Sequence, residues 1–194
     1  PESLLRERDV DFVFRGEAER SFQNFLDMFS KGVTHWQSIE GLCFRASNDT
    51  PCIGDVAHVP DLDSVIMPDY DFVNLEAYIS AGYRLDSPTA RNAPIWTTRG
   101  CPYRCAFCSA PQINGRPIRK HGIDYLVRWV KHLYEFKDIR WINIIDDNFT
   151  FHADYAAEFC EKIIELKLHG LGFSTCNGIR MSRGSADLWK LMKQ

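Results

Sequence analysis

Along the second half of the chain, apolar positions recur in two alternating rhythms. Residues 95 to 98 (IWTT) form a short strand-like run, after which Ile123, Leu126, Val127, Val130 and Tyr134 fall on one face of a helix. Residues 141 to 145 are nearly unbroken in apolar character, as in a strand covered on both faces. Ala156, Phe159, Cys160, Ile163 and Leu166 mark a second helix, residues 171 to 175 a third strand, and Ser185 opens a third helix carrying Leu188, Trp189, Leu191 and Met192. Consecutive strand–helix units predict parallel strands with right-handed crossovers. Closed into a barrel or part of one, they would present ligand sites at the carboxyl ends of the strands.

The first half reads differently. Residues 11 to 15 (DFVFR) are β-rich, Gly16 and Glu17 turn the chain, and Phe22, Phe25, Leu26 and Phe29 follow at helical spacing. One strand and one helix cannot bury both faces of the strand, so this unit is expected to be the last piece of an α/β domain. Between residues 31 and 93 the periodicity is poor, and Pro51, Pro60, Pro68 and Pro88 punctuate short apolar pieces. An irregular linker is expected there, its acidic stretch from Pro60 to Asp71 giving turns rather than a packed unit. The expected organisation is thus α/β throughout: residues 1–30 closing one domain, 31–93 connecting, and 94–194 forming three βα units of a second.

A chain with 45% hydrophobic and 25% charged residues can fill a core. Its net charge of -3 leaves no basic surplus to grip nucleic acid or an anionic membrane. No uncharged apolar run approaches the roughly 18 to 20 residues that span a bilayer, and no leader opens the chain, so a cytoplasmic location is expected. The absence of a Met before Pro1, and a helical pattern that stops uncapped at Gln194, suggest a fragment unable to act alone.

Seven cysteines would suit a disulfide scaffold, but the number is odd and three of them fall between positions 101 and 108. A metal site in a reducing compartment fits better. Directly after the first strand, Cys101, Cys105 and Cys108 are spaced so that one loop can wrap three thiolates around a 4Fe-4S cubane, with Gly100 permitting the sharp exit. Three thiolates leave one iron open to an exogenous molecule. A structural zinc site would want a fourth ligand, for which His121 is the nearest candidate. Cys160 belongs to an apolar helix face, Cys43 and Cys52 lack partner spacing, and Cys176 ends the third strand, where a ligand could lie.

The motif Cys-x3-Cys-x-aromatic-Cys, with Phe107 in the aromatic place, resembles the signature of the radical S-adenosylmethionine superfamily. The words TTRGCPYRCAFCSAP, GRPIRKHG, IIDDNFTF and FSTCNGIRMSRG resemble the branch carrying a cobalamin-binding domain ahead of the radical barrel. On this resemblance residues 1–30 are the closing βα unit of a Rossmann-like cobalamin domain, and residues 94–194 an incomplete TIM-type radical barrel. The implied cofactors are the 4Fe-4S cluster, S-adenosylmethionine, and cobalamin bound mainly by a preceding domain. The implied chemistry is one-electron cleavage of S-adenosylmethionine to methionine and a 5'-deoxyadenosyl radical, serving methyl transfer or cyclisation on a small-molecule substrate. An external donor such as flavodoxin or ferredoxin would supply the electron.

Phe107, beside the cluster, and Asp146, Asp147 and Asn148, at the mouth of the second strand, are the expected cofactor contacts. Carboxylates and an amide oxygen suit an ammonium and a sulfonium. The family often has Gly-Gly-Glu at that mouth, and the alternative is that these residues only start the next helix, a task Thr150 or Asp154 could share. Thr175, Asn177 and Arg180 could meet ribose or substrate, while Arg116 and Arg119 pair with acids or stay solvated. No catalytic side chain is singled out. Competing readings are a radical methylthiotransferase, which would want a second cluster and a basic appendage, and a non-catalytic iron–sulfur or zinc module.

Overall fold

The computed structural model describes residues 1–194. In chain order it contains α1 (Glu2–Leu5), β1 (Phe12–Phe14), α2 (Glu19–Ser30), β2 (Leu42–Arg45), β3 (Pro51–Cys52), α3 (Leu75–Ser80), β4 (Asn92–Ile95), β5 (Thr98–Arg99), α4 (Ala110–Ile113), β6 (Arg119–Lys120), α5 (Ile123–Phe136), β7 (Trp141–Ile144), α6 (Ala153–Glu165), β8 (Gly172–Thr175) and α7 (Ala186–Met192). The chain divides into two units, residues 1–65 with 102–117, and residues 66–101 with 118–194.

In the second unit the expected parallel sheet forms, in the order β4-β7-β8. Strand alternation sends Ala93, Ile95, Ile142 and Ile144 into a core with Leu126, Val130 and Leu133 of α5 and Phe159 of α6. Burying such side chains fully contributes about 1.5–3 kcal/mol each. α7 starts where expected, because the Ser185 side chain accepts from the Leu188 N–H at 3.2 Å. The other face of the sheet carries a polar row in place of the apolar cover expected from residues 141–145. Asn143, wholly buried, donates to Asn92 Oδ1 at 2.8 Å and accepts from Ser174 Oγ at 2.7 Å. Each amide has its partner on the neighbouring strand, which makes burial of these polar groups tolerable.

The expected linker, residues 31–93, is mostly irregular but contributes β2, β3, α3 and the first residues of β4. In the first unit β2 pairs antiparallel with both β1 and β3, Phe12 lying opposite Phe44 and Phe14 opposite Leu42. Phe25 of α2 closes a small core with Ile39, Leu42 and Phe44. Gly41, at φ 78°, is required here: a Cβ would lie 2.8 Å from the Arg15 carbonyl oxygen. Short strands without internal periodicity form because a distant segment supplies their hydrogen bonds. Residues 66–93 belong to the second unit, where the Tyr70 ring is buried and its hydroxyl donates to the Pro94 carbonyl at 2.8 Å.

Candidate functional site

β4 and β7 end in register, Ile95 beside Ile144, and the residues just beyond them build the strand mouth. There Asp146, 2% exposed, accepts four hydrogen bonds: the N–H groups of Thr97 at 2.7 Å and Thr98 at 3.0 Å, and the hydroxyls of both threonines. The Thr97 carbonyl accepts from the His121 N–H at 3.0 Å, and the Tyr155 hydroxyl is shared between the His121 carbonyl at 2.7 Å and the Thr97 carbonyl at 3.0 Å. Burial outweighs these bonds and pushes the Asp146 carboxyl up to about 6. The strand expected over residues 95–98 is therefore two: β4 ends at Ile95, the chain turns at Trp96 and Thr97, and β5 pairs with β6. That ribbon joins Arg99 to Arg119, and from it the cysteine loop leaves and returns. Gly100 takes the left-handed conformation, φ 100°, that the exit was expected to need.

All seven cysteines are free thiols. Cys101 is buried, Cys105 half-buried and Cys108 exposed, and the Cys108 N–H donates to the Cys105 carbonyl at 3.1 Å, forming a turn. In the same loop Arg116 donates to the Tyr103 carbonyl at 3.0 Å, and the Phe107 ring is 93% exposed. No group of three or more His, Cys, Asp or Glu side chains is gathered into a ready-made metal site. The fit to a cubane rests on donor chemistry: three soft thiols at cluster spacing on one loop. His121 is buried and stacks on Tyr125 with ring centroids 4.4 Å apart, an environment for packing rather than for a fourth ligand. Cys43 is wholly buried, and burial pushes the Cys160 thiol up to about 11, so Cys160 is not a ready thiolate.

The Asp-Asp-Asn sequence divides its labour. Of the expected cofactor contacts, Asp146 accepts at Oδ1 from the Thr97 N–H and at Oδ2 from the Thr98 N–H and both threonine hydroxyls. Asp147 is half-buried. Asn148, 6% exposed, leaves its Oδ1 buried without a hydrogen-bond partner, and so does the Thr150 hydroxyl. The capping alternative is not realised by Asn148: neither it, opening the turn Phe149–Phe151, nor His152, opening α6, makes a side-chain capping bond. Asn177 donates to the carbonyls of Ile145 and Asp146 at 2.9 and 3.2 Å, so it secures the mouth of β7. Cys176 lies 3.8 Å from the Ser174 hydroxyl. Sequence reasoning missed the roles of Thr97, Thr98, His121 and Tyr155. The only signal was the pair of threonines just before the Arg-Gly-Cys turn.

A separate cavity of about 560 Å³ lies against β8 and is lined largely by apolar residues, among them Phe149, Phe159, Ile163, Phe173 and Leu191. It is on the helix-bearing face of the sheet, apart from Asp146 and its threonine partners. No helix is long and apolar enough to cross a membrane.

The fold and loop define an α/β protein whose parallel sheet sends out a three-cysteine loop beyond its first strand. Residues 95–194 match the family described as the Radical SAM superfamily, and the chain belongs to it. That family uses a 4Fe-4S cluster and S-adenosylmethionine. An uncharacterized methyltransferase of Pyrococcus horikoshii is 27% identical over the whole of this chain and 40% of its own length. The anaerobic magnesium-protoporphyrin IX monomethyl ester cyclase of Rubrivivax gelatinosus is 27% identical over 87% of this chain and 30% of its own. Among solved structures, the cobalamin-dependent S-adenosylmethionine radical enzyme OxsB, with aqua-cobalamin and S-adenosylmethionine bound, superposes with a TM-score of 0.70 over 89% of this chain and 24% of its own, at 20% identity. The chain thus spans well under half of the relatives it matches.

Proposed function

We propose that this chain is part of a radical S-adenosylmethionine enzyme of the cobalamin-dependent branch, acting as a methyltransferase or cyclase on a small molecule. The observation that carries the reading is the three-thiol loop of Cys101, Cys105 and Cys108, set beyond the first strand of a parallel sheet in a chain of this family. Those cysteines would hold the 4Fe-4S cluster, leaving one iron for S-adenosylmethionine. Once reduced by an external one-electron donor, a cluster held there would supply the electron for reductive cleavage of the carbon–sulfur bond of S-adenosylmethionine, to methionine and a 5'-deoxyadenosyl radical.

The chain's own residues bind and orient. Asn148 would accept from the methionine ammonium, because its buried Oδ1 has no protein partner and a ligand donor would remove that penalty. Asp147, on the same mouth, would supply negative charge toward the sulfonium, and Phe107 would cover the cofactor from the cluster loop. Residues 94–194 are read as the opening βα units of a radical barrel. Residues 1–30, now with β2 and β3 beside them, are read as the end of a Rossmann-like cobalamin domain. Methyltransferase and cyclase relatives and the cobalamin-dependent neighbour support this reading.

Anaerobic reconstitution of the full-length protein tests it. About one 4Fe-4S cluster per chain and release of 5'-deoxyadenosine on reduction with S-adenosylmethionine are expected. Stoichiometric tetrahedral zinc with no iron uptake would overturn it.

A further inference from the structure

Among the residues at the strand mouths, Asp146 is the most completely committed. Its four donors all come from Thr97 and Thr98. The remaining backbone group of Thr97, its carbonyl, is taken by His121 and Tyr155, and Thr98 pairs with Lys120 across the β5–β6 ribbon. Thr97 is wholly buried and Thr98 nearly so. Cys101 follows three positions later and is itself 9% exposed.

Only a carboxylate can satisfy this arrangement. Each of its oxygens accepts and neither donates, so two backbone N–H groups and two hydroxyls can converge on it together. An amide would turn its NH2 toward at least one N–H that cannot reverse. Keeping a charge 2% exposed is costly, and the four hydrogen bonds offset part of that cost.

We propose that Asp146 is a positioning residue that fixes the Thr97–Thr98 strand exit and thereby the backbone arm bearing Cys101, and that it is not a cofactor contact. The proposal rests on the reading that Cys101 is a cluster ligand. Asp146 sets where the chain leaves the sheet, Gly100 makes the turn, and the thiol is presented from a fixed base rather than from a free loop.

The test uses Asp146→Asn and Thr98→Val in the full-length protein. In cluster-free protein, alkylation of each cysteine is timed by peptide mass spectrometry, with Cys105 and Cys108 as internal references. Loss of a buried hydrogen bond to a charged group should speed Cys101 alkylation by roughly ten- to a hundredfold in Asp146→Asn, leaving Cys105 and Cys108 unchanged. Thr98→Val should move Cys101 the same way by less, and Thr98→Ser should restore it. In reconstituted protein, the reduced-cluster EPR spectrum recorded without S-adenosylmethionine should change in Asp146→Asn, while cofactor affinity per cluster stays at the wild-type value.

A wild-type Cys101 rate and cofactor-free spectrum in Asp146→Asn, together with weakened S-adenosylmethionine binding, would make Asp146 a direct contact and overturn the proposal. If Asp146→Asn does not fold, Thr98→Val decides: an unchanged Cys101 rate overturns the proposal, and a faster one supports it. Failure of the wild type to take up iron would defeat the functional reading alone, since the alkylation rates still report the strand exit.

Discussion

The indole N–H of Trp129 donates to the Tyr70 hydroxyl at 3.1 Å, and that hydroxyl donates onward to the Pro94 carbonyl. A residue from the expected linker thereby becomes a strut between α5 and β4, and burial raises the Tyr70 pKa above its ordinary value. Tyr70→Phe keeps the ring but strands the Trp129 N–H and the Pro94 carbonyl. We expect a loss of about 1–3 kcal/mol, read as a lower urea midpoint at unchanged slope. An unaltered midpoint would mean the acidic connector is only draped on the sheet.

Asp146 makes stability depend on pH. Its carboxyl is raised from 3.8 to about 6 in the folded state, chiefly by burial. Between those values the folded chain keeps a proton that the unfolded chain has released. Its contribution to stability is fully present below pH 3.8 and is lost as pH rises through about 6. Urea midpoints of wild type, referred to Asp146→Asn at each pH, should therefore fall from pH 4 toward pH 6.5 and then level. The opposite slope would show that the threonine hydrogen bonds outweigh burial.

Serine at Cys101, Cys105 or Cys108 should each remove most reconstituted iron, whereas serine at Cys43 or Cys160 should leave iron content intact. The latter two are held in apolar surroundings, one wholly buried and the other with its thiol raised to about 11. Iron and sulfide analysis with Mössbauer spectra would check this. Loss of the cluster on Cys160→Ser would move a ligand to α6.

Asn148→Ala should separate binding from stability. Removing a buried oxygen that has no partner relieves a desolvation penalty, so the cofactor-free protein should be as stable as wild type or more so. Affinity for S-adenosylmethionine should fall by about tenfold with iron unchanged, by equilibrium binding to the reconstituted protein. Wild-type affinity would leave Asp147 as the contact from this segment.

Local patterning made the second unit legible. Leu126, Val130 and Leu133 announce α5 by their spacing, and Ser185 announces the start of α7 by its capping chemistry. Within residues 31–93 the strand β2 is not legible, because it has no period of its own. Leu42 to Arg45 are a strand only because Phe12 to Phe14 lie beside them, a pairing across roughly thirty residues that no local window contains.

The sequence by itself determined that three thiols stand at cluster spacing on one loop, because that spacing is a local property of the chain. It also determined the parallel βα order of the second unit, since helical and strand periods are set by consecutive side chains. Only the tertiary structure decided which donors meet the side chains of Asp146 and Asn148. Three adjacent polar residues look alike in a sequence, but the first, a carboxylate, accepts from Thr97 and Thr98, forty-nine and forty-eight positions away, whereas the amide oxygen two positions on is buried and meets no donor. The difference lies in which donors the fold brings to each oxygen, and that is fixed only when β4 and β7 pair.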